Sequence, residues 1–521
     1  MHPRWRQLLI ALFVLAALVR GVDVWRPVDG SVRDSWREPD VAGIARNFYR
    51  EGMNIFYPRI DWRGDGPGFV ESEFPLPAWM GAALYHVCGY HEELLRVMSY
   101  LFALGATAVF FRLAWTSLPS RSAFAACALW TVSPIGIRMA SAIQPEPLMF
   151  LGLISAVLFF REWCQTGSRC AYWLALGTTT LAVLAKVPAA HIGLLFAALC
   201  LQSFGWSALK RREVWFFVVV SLGVPLLWYA HARTLWLSYG NSLGISNEAY
   251  GRITSMNFFS AAWQTVPGVL RLETDLVWTL PGLALGLIGL CVVARQREQR
   301  WIAYWAATLV VFYFVTGRTT GEDWAWHYHI ASLPVACLLM GAAVNVGVNI
   351  TRSVSEGQHS YTTSNSPSLT LRVTWDRAFA GIVLLLWFAT LLFDVRRVRW
   401  DLHPSAFQSQ YECASRFRAH IDESSLIVSS GAATVDQFGL ERAFNAPYMF
   451  FWTDTKGFTL ADSQQSIAQL EQLRRRGAKY FIAESRCLKK APGFESELRS
   501  HYRILDEHPA ALLVELTPQG G

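Results

Sequence analysis

Long apolar runs recur along the chain up to about residue 395, and they constrain its fold more than any other feature. Each run is close to the roughly 17–25 residues that a helix needs to cross a bilayer. Only 16% of the residues are charged, whereas soluble proteins carry about 25%. The pattern predicts an α-helical polytopic membrane protein with about eleven transmembrane helices. The predicted spans are 8–25, 94–114, 122–141, 147–163, 171–187, 189–205, 214–232, 275–294, 301–317, 329–349 and 378–395.

Basic residues fall on alternate loops between these spans and indicate their orientation. With the N-terminus in the cytoplasm, every second loop carries arginine or lysine, whereas the short loops 142–146 and 318–328 contain only Arg318. Such a bias marks the cytoplasmic side. The basic loops also explain the net charge of +7, so we expect no nucleic-acid partner. An odd number of spans would place residues 396–521 outside.

The first predicted outer loop, 26–93, opens with a charged helix. Its apolar positions 41, 44, 45 and 48 have helical spacing, and Arg46 and Asn47 fall on the opposite face. We expect this helix to lie flat on the outer membrane surface with its apolar face toward the lipid. The start of this helix would hold Asp40 near the membrane interface. An apolar segment at 76–84 predicts a second interfacial or re-entrant helix. Three acids between the two helices, Asp61, Asp65 and Glu71, are interpreted as solvated loop charges.

Five further ionisable residues are predicted to lie at the same membrane face as Asp40. Each has a simple explanation alone. A carboxylate is favoured at a helix N-terminus, a lysine can reach the headgroups, and histidines among aromatic residues are typical of an interface belt. Ionisable groups at membrane depth are costly and often functional, so the convergence of separate segments favours a functional site. These residues are Glu73, Glu146, Lys186, His327 and His329.

The final region, residues 396–521, changes character. Short β-type runs at 425–430, 479–483 and 511–515 surround a charged helical pattern at 463–476. Strands alternating with helices predict a small α/β domain. No glycine-rich phosphate loop follows any of these runs, so we interpret the domain as structural or acceptor-guiding. The chain thus divides into a transmembrane domain, 1–395, which contains the outer loop 26–93 and the predicted functional site, and the domain 396–521.

Five short motifs follow one another along the chain. They are Glu38-Pro39-Asp40 leading to Ile44-Ala45-Arg46-Asn47, Glu71-Ser-Glu-Phe-Pro-Leu-Pro77, Pro145-Glu146-Pro147, Leu184-Ala-Lys-Val-Pro188, and His327-Tyr-His329 with Leu333-Pro334. In this order they resemble the motifs of the GT-C superfamily of polyprenyl-phosphate-sugar-dependent glycosyltransferases. The likeness points in particular to the branch with protein O-mannosyltransferases and lipid A aminoarabinose transferases, and it covers residues 1 to about 350.

The resemblance implies that a sugar moves from a polyprenyl-phosphate donor to an acceptor hydroxyl at the outer face of the membrane. Asp40 would be the catalytic base, and direct displacement would invert the anomeric carbon. Glu146 would be a second catalytic residue, and Glu73 with His329 would be candidate ligands of a divalent metal ion.

One position departs from the family pattern. The aminoarabinose branch has a lysine facing the donor phosphate where this chain has Phe74. The phosphate charge would then be neutralised by a divalent ion or by other side chains. The candidates are Lys186, Arg37, Arg59, Arg63 and His327.

Several alternatives stay open at this point. The acceptor could be a lipid, a glycan or a protein, and the sugar is undefined. We expect a monomer in contact with membrane lipids, in the inner membrane of a bacterium. A transporter or a lipid-sugar flippase is the rival function, and a scaffold for the C-terminal domain is another. Transporters need polar residues at the membrane midplane, whereas those of this chain gather at one face, which favours an interfacial enzyme.

Overall fold

The computed structural model describes residues 2–29, 38–244, 256–320, 323–358, 367–401, 407–422, 424–431 and 447–518. The named elements described up to residue 401 are all helices, and a mixed sheet follows. The helices of the first part are α1 (Pro3–Arg20), α2 (Glu38–Glu51), α3 (Leu76–Cys88), α4 (Glu93–Ser117), α5 (Ser120–Val132), α6 (Pro134–Arg138), α7 (Glu146–Thr166), α8 (Arg169–Ala185), α9 (Ile192–Phe204), α10 (Arg212–Tyr239), α11 (Met256–Glu273), α12 (Leu280–Arg295), α13 (Arg300–Thr320), α14 (Leu333–Gln358) and α15 (Pro367–Asp401).

Apolar length distinguishes the helices that could cross a membrane. Among the described residues six helices are long and apolar enough, or seven if one bent pair counts as a single span. The predicted number of eleven therefore stays a prediction. The candidates are Glu93–Ser117, Glu146–Thr166, Val187–Lys210, Arg212–Tyr239, Trp326–Asn345 and Ala378–Val398, with Trp263–Trp278 and Leu280–Arg295 as the bent pair.

Two predicted spans are interrupted. The span expected at 122–141 consists of two short helices, α5 and α6, because Pro134 starts a new helix and cannot continue the previous one. The span expected at 275–294 begins inside a bent pair whose two helices meet at 87°. Thr279 lies at that bend with a φ of 58°, which non-glycine residues rarely adopt.

The outer-loop helix α2 does not lie flat on a lipid surface in the way that its sequence suggested. Its apolar face packs against α3, but Arg46 and Asn47 on the other face are only 3% and 2% exposed. Asp61 and Glu71 are also buried, at 5% and 0% exposure, so interpreting them as solvated charges was wrong. Both faces of α2 are therefore covered by protein.

The C-terminal part is built on one described five-stranded sheet of order β2-β1-β3-β5-β4. Strands β2, β1 and β3 are parallel to one another. Strand β5 pairs antiparallel with β3, and β4 pairs antiparallel with β5. The prediction of a small α/β domain is confirmed, although the runs that form β2 and β4 were not recognised. Its elements are α16 (Gln408–Arg418), β1 (Leu426–Ser430), α17 (Tyr448–Thr453), β2 (Lys456–Leu460), α18 (Ile467–Arg475), β3 (Ala478–Glu484), α19 (Ser485–Leu488), α20 (Phe494–His501), β4 (Tyr502–His508) and β5 (Ala511–Pro518).

The apolar core continues from the outer loop into this domain. Ile44 and Phe48 of α2 belong to the same buried cluster as Tyr448, Phe450 and Trp452 of α17. Short α17 therefore joins the sheet to the helix that carries Asp40.

Candidate functional site

Lys186 is the centre of a buried polar cluster. It follows the last residue of α8, and its extended backbone (φ −161°) turns the chain out of the helix before Pro188. The side chain is 3% exposed and forms an ion pair with Glu146. Its Nζ also lies 3.8 Å from Glu73 Oε1 and 4.8 Å from the ring centroid of Tyr328. Because a buried ammonium group needs compensating negative charge, the two carboxylates fix its place.

Glu146 connects this cluster to the histidine segment. It is the first residue of α7, between Pro145 and Pro147, where the helix dipole favours a carboxylate. Its side chain is 1% exposed, and Oε1 lies 3.6 Å from His327 Nε2. A small cavity of about 10 Å³ borders Glu146, Lys186 and His327, which is room for roughly one water molecule.

Glu73 reaches the cluster from the outer loop, and its side chain is 23% exposed. The segment around it is fixed by two hydrogen bonds, from Phe74 N to Leu184 O at 3.3 Å and from Trp228 Nε1 to Ser72 O at 3.1 Å. The Phe74 ring packs edge-on against Trp228, with centroids 5.0 Å apart. Phe74, which stands where the aminoarabinose branch has a lysine, thus makes an apolar contact with α10.

Asp40 lies in the first turn of α2 and accepts a hydrogen bond from Trp62 Nε1 at 3.3 Å. Two residues earlier, Glu38 is buried and paired with Arg96 at 2.7 Å. Glu38 Oε1 also accepts a hydrogen bond from Ile143 N at 3.2 Å. The start of α2 is therefore tied to the segment that leads into α7 and Glu146.

The predicted phosphate-binding arginines have other contacts. Arg59 and Arg63 both bind Glu51, at 2.8 Å and 2.7 Å, and Lys456 of β2 pairs with the same carboxylate. Burial alone would raise the pKa of Glu51, but hydrogen bonds from Arg63, Lys456 and Arg59 outweigh it and hold the pKa well below its usual range. The structure does not join these two arginines to Lys186 by a described contact, and Arg37 lies outside the described residues.

His329 lies in a second buried network. Its Nδ1 is 2.6 Å from Oε1 of Glu273, and Glu273 also accepts hydrogen bonds from Tyr313 at 2.5 Å and Trp278 at 2.8 Å. Glu273 is the last residue of α11, just before the bend at Thr279. Sequence reasoning missed Glu273 because its histidine partner is 56 positions away.

The contacts of Glu73 and His329 do not fit a metal ion held jointly by these two residues. Glu73 faces Lys186, and the described ring nitrogen of His329 faces Glu273. Within the described residues no three His, Cys, Asp or Glu side chains are grouped as a metal site.

Arg138, at the end of α6, is a second residue that sequence reasoning did not select. Its guanidinium carbon lies 3.8 Å from the ring centroid of Trp326, next to His327 in the chain. This is close enough for a cation–π contact. The available signal was an arginine near the outer end of a predicted span, since such positions are seldom charged without a reason.

The chain is similar to known glycosyltransferases. Residues 69–229 match the family model described as dolichyl-phosphate-mannose-protein mannosyltransferase. ArnT from Cupriavidus metallidurans, both in the apo state and bound to undecaprenyl phosphate, has a similar structure, with a TM-score of 0.61 and 13% identity over 98% of this chain and 99% of that chain. No curated protein sequence matches the chain.

Two larger proteins share the architecture. The oligosaccharyltransferase of Archaeoglobus fulgidus has a TM-score of 0.53 and 12% identity, over 91% of this chain and 69% of that chain. The arabinofuranosyltransferase AftD from Mycobacteria has a TM-score of 0.51 and 13% identity, over 100% of this chain and 40% of that chain. The predicted resemblance is confirmed: this chain has the fold of GT-C glycosyltransferases, and it is a multi-pass membrane protein.

Proposed function

We propose that this protein is a membrane glycosyltransferase that moves a sugar from a polyprenyl-phosphate donor to an acceptor hydroxyl. The family match over residues 69–229 supports this activity, and so does the likeness to ArnT, whose structure has been solved with undecaprenyl phosphate. The reaction would take place at the outer face of a bacterial inner membrane, with the N-terminus in the cytoplasm and residues 396–521 outside. We expect the enzyme to act as a monomer.

The observation that carries the proposal is the buried Lys186 between Glu146 and Glu73. A glycosyltransferase of this kind must stabilise a departing phosphate, and a preorganised cation in a water-poor site does so effectively. The single positive charge of Lys186 is already outweighed by the two neighbouring carboxylates. Further positive charge would therefore come from His327 when protonated, or from Arg138.

The proposed reaction is a single displacement with Asp40 as base. The acceptor oxygen forms a bond to the anomeric carbon while its proton passes to the Asp40 carboxylate. The bond between that carbon and the phosphate oxygen breaks, and polyprenyl phosphate leaves with the electron pair. Attack opposite to the leaving group inverts the anomeric centre. A positioned general base contributes roughly 10²–10⁴-fold to such a step.

The predicted divalent metal ion is not part of the proposed reaction. The Archaeoglobus fulgidus enzyme has been solved in a complex with zinc and sulfate, and a divalent ion would supply charge at the leaving phosphate. Because the described contacts of Glu73 and His329 do not fit a shared ion, the proposed reaction includes no step on a metal ion. Arg37, Arg59 and Arg63 stay predicted phosphate contacts.

Mass spectrometry of cell-envelope glycans, with and without the protein, tests the proposed function. A sugar modification present only with the protein is expected, and Asp40→Asn should remove at least about 99% of it, given the size of base catalysis. Glu507→Gln, which changes an exposed acid paired only within the C-terminal domain, is the control. An Asp40→Asn protein with near-normal product would contradict the role of Asp40, whereas loss of the lipid-linked sugar from the outer leaflet without any missing modification would favour a flippase.

A further inference from the structure

Asp40 is hydrogen-bonded to a residue of the outer loop. Trp62 Nε1 donates to Asp40 Oδ1 at 3.3 Å, although the two residues are 22 positions apart. Hydrogen bonds to a carboxylate hold it in one orientation. What fixes Trp62 therefore also affects Asp40.

The residue before Trp62 is locked against α2. Asp61 accepts hydrogen bonds from Arg46 Nη2 at 2.7 Å and from Asn47 Nδ2 at 2.9 Å. Gly43 makes this approach possible, since a Cβ at that position would lie 2.8 Å from Asp61 Oδ2. The same helix thus carries Asp40 and holds the loop that reaches back to it.

The C-terminal domain holds the other side of this loop. The backbone N–H of Gly457, in β2, donates to Asp61 O at 3.1 Å, and Gly64 N donates to Gly457 O at 2.6 Å. A side chain at Gly457 would collide with β1, since its Cβ would lie 1.9 Å from Ile427 O. The loop 61–64 is therefore bonded to the sheet through its backbone.

Arg46 completes the connection. Besides Asp61, it donates to the carbonyl of Phe451 at 3.0 Å and pairs with Asp454 at 2.7 Å. Its guanidinium carbon lies 4.7 Å from the ring centroid of Phe451. A single buried arginine thus binds the outer loop and the C-terminal domain at once.

We infer that Trp62 is a positioning residue for Asp40, and that the C-terminal domain holds Trp62 in place through Gly457 and the Arg46–Asp61–Asp454 contacts. This inference rests on the proposed role of Asp40 as base. It gives the C-terminal domain a specific task, which is to fix the orientation of the base carboxylate before the acceptor binds. Fixing such geometry in advance is a large part of catalysis.

The test compares Trp62→Phe with Trp62→His, because the phenylalanine ring has no N–H donor and the imidazole has one. Trp79→Phe is the matched control, since its indole donates 2.9 Å to Met53 O instead. The measurements are the amount of the envelope modification per protein, the binding of undecaprenyl phosphate in detergent, and the thermal midpoint of unfolding. Trp62→Phe should lower product about tenfold or more, with lipid binding within about twofold of the wild type and the midpoint close to that of Trp79→Phe.

Trp62→His should restore much of the product. The inference is overturned if Trp62→Phe forms as much product as Trp79→Phe, or if the histidine and phenylalanine variants lose it equally. Asp454→Asn tests the link to the C-terminal domain, and it should lower product without weakening lipid binding; normal product in this variant overturns that link. An Asp40→Asn protein with near-normal product would instead refute the proposed role of Asp40 as base, and envelope glycans that are unchanged without the protein would refute the proposed function itself.

Discussion

At the residue scale, Lys186 is the side chain whose neutralisation would tell most about the site. Lys186→Met would leave Glu146 buried without its cation, and breaking such a pair destabilises a protein by about 3–5 kcal/mol. We expect loss of the envelope modification and a lower unfolding midpoint. Lys210→Met, which changes an exposed lysine, is the control and should alter neither.

The double variant Lys186→Met with Glu146→Gln separates charge burial from function. Removing both charges should recover most of the lost stability, because neither partner is then an uncompensated buried ion. Product should stay absent, since the leaving phosphate still lacks its cation. Recovery of product together with stability would show that Lys186 is needed only for folding.

Sequence and structure agree unevenly at this scale. The predicted sidedness grouped six ionisable residues at one membrane face, because each is at a helix boundary on that face. Of these, the structure joins Glu73, Lys186, Glu146 and His327 in one cluster. His329 lies in a separate network with Glu273. Arg46 was assigned to the exposed face of α2, yet it is 3% exposed. Its covering residues, Phe451 and Asp454, are about 400 positions away, and local periodicity contains no information on such partners.

At the element scale, close helix contacts hold the histidine segment. Gly289 of α12 touches α14, and a Cβ there would lie 1.8 Å from Leu339 O. Small residues at such crossings let backbones approach in membrane proteins. Because α14 begins directly after the turn that contains His327 and His329, its displacement would also move that turn.

Gly289→Ala should therefore destabilise the protein by about 1–3 kcal/mol, as overpacked cores do, and lower product formation. Gly177→Ala in α8 is the matched control, since its added Cβ would meet no atom within 4 Å and alanine is the better helix former. Thermal unfolding in detergent measures the difference. Equal midpoints for the two variants would mean that α12 and α14 are less tightly packed than the contact implies.

The elements themselves were predictable to different degrees. The helix from Glu38 to Glu51 was anticipated because capping residues and apolar spacing are both local. Strands β2 (KGFTL) and β4 (YRILDEH) were missed because neither shows a clear alternation, and their pairing partners supply the missing constraint. The bend between Trp278 and Leu280 was missed because the apolar residues on its two sides were predicted as one span, although Thr279 and Pro281 interrupt them.

At the scale of the whole molecule, acidic groups bridge the outer loop and the C-terminal domain. Glu51 of α2 pairs with Lys456, Asp65 of the loop pairs with Arg476 at 2.5 Å, and Asp454 of the domain pairs with α2. Hydrogen bonds from Arg476 lower the pKa of exposed Asp65. Burial would raise the pKa of Asp454, but Arg50 and Arg46 outweigh it and lower it.

The sign of the pH dependence follows from these lowered pKa values. A carboxyl whose pKa is lower in the folded state stabilises it fully above the unfolded pKa, and the contribution is lost as the pH falls through the folded pKa. The ordinary values are 4.5 for Glu51 and 3.8 for Asp65 and Asp454. Attachment of the C-terminal domain should hence be constant near neutral pH and weaken progressively below about pH 4.5.

Glu51→Gln isolates the largest of these contributions, since three cations surround this one carboxylate. The variant should have a lower unfolding midpoint than the wild type at pH 7. The gap should narrow as the pH falls below about 4.5, because the unfolded wild-type chain then binds a proton that the folded Glu51 carboxylate does not. Glu507→Gln is the control: the pKa of Glu507 is also lowered, by a hydrogen bond from Arg499, but this exposed pair lies wholly within the C-terminal domain. If the gap between Glu51→Gln and the wild type were independent of pH, the Glu51 charge would not contribute to domain attachment, and Arg46 with the backbone bonds of Gly457 would hold the domain alone.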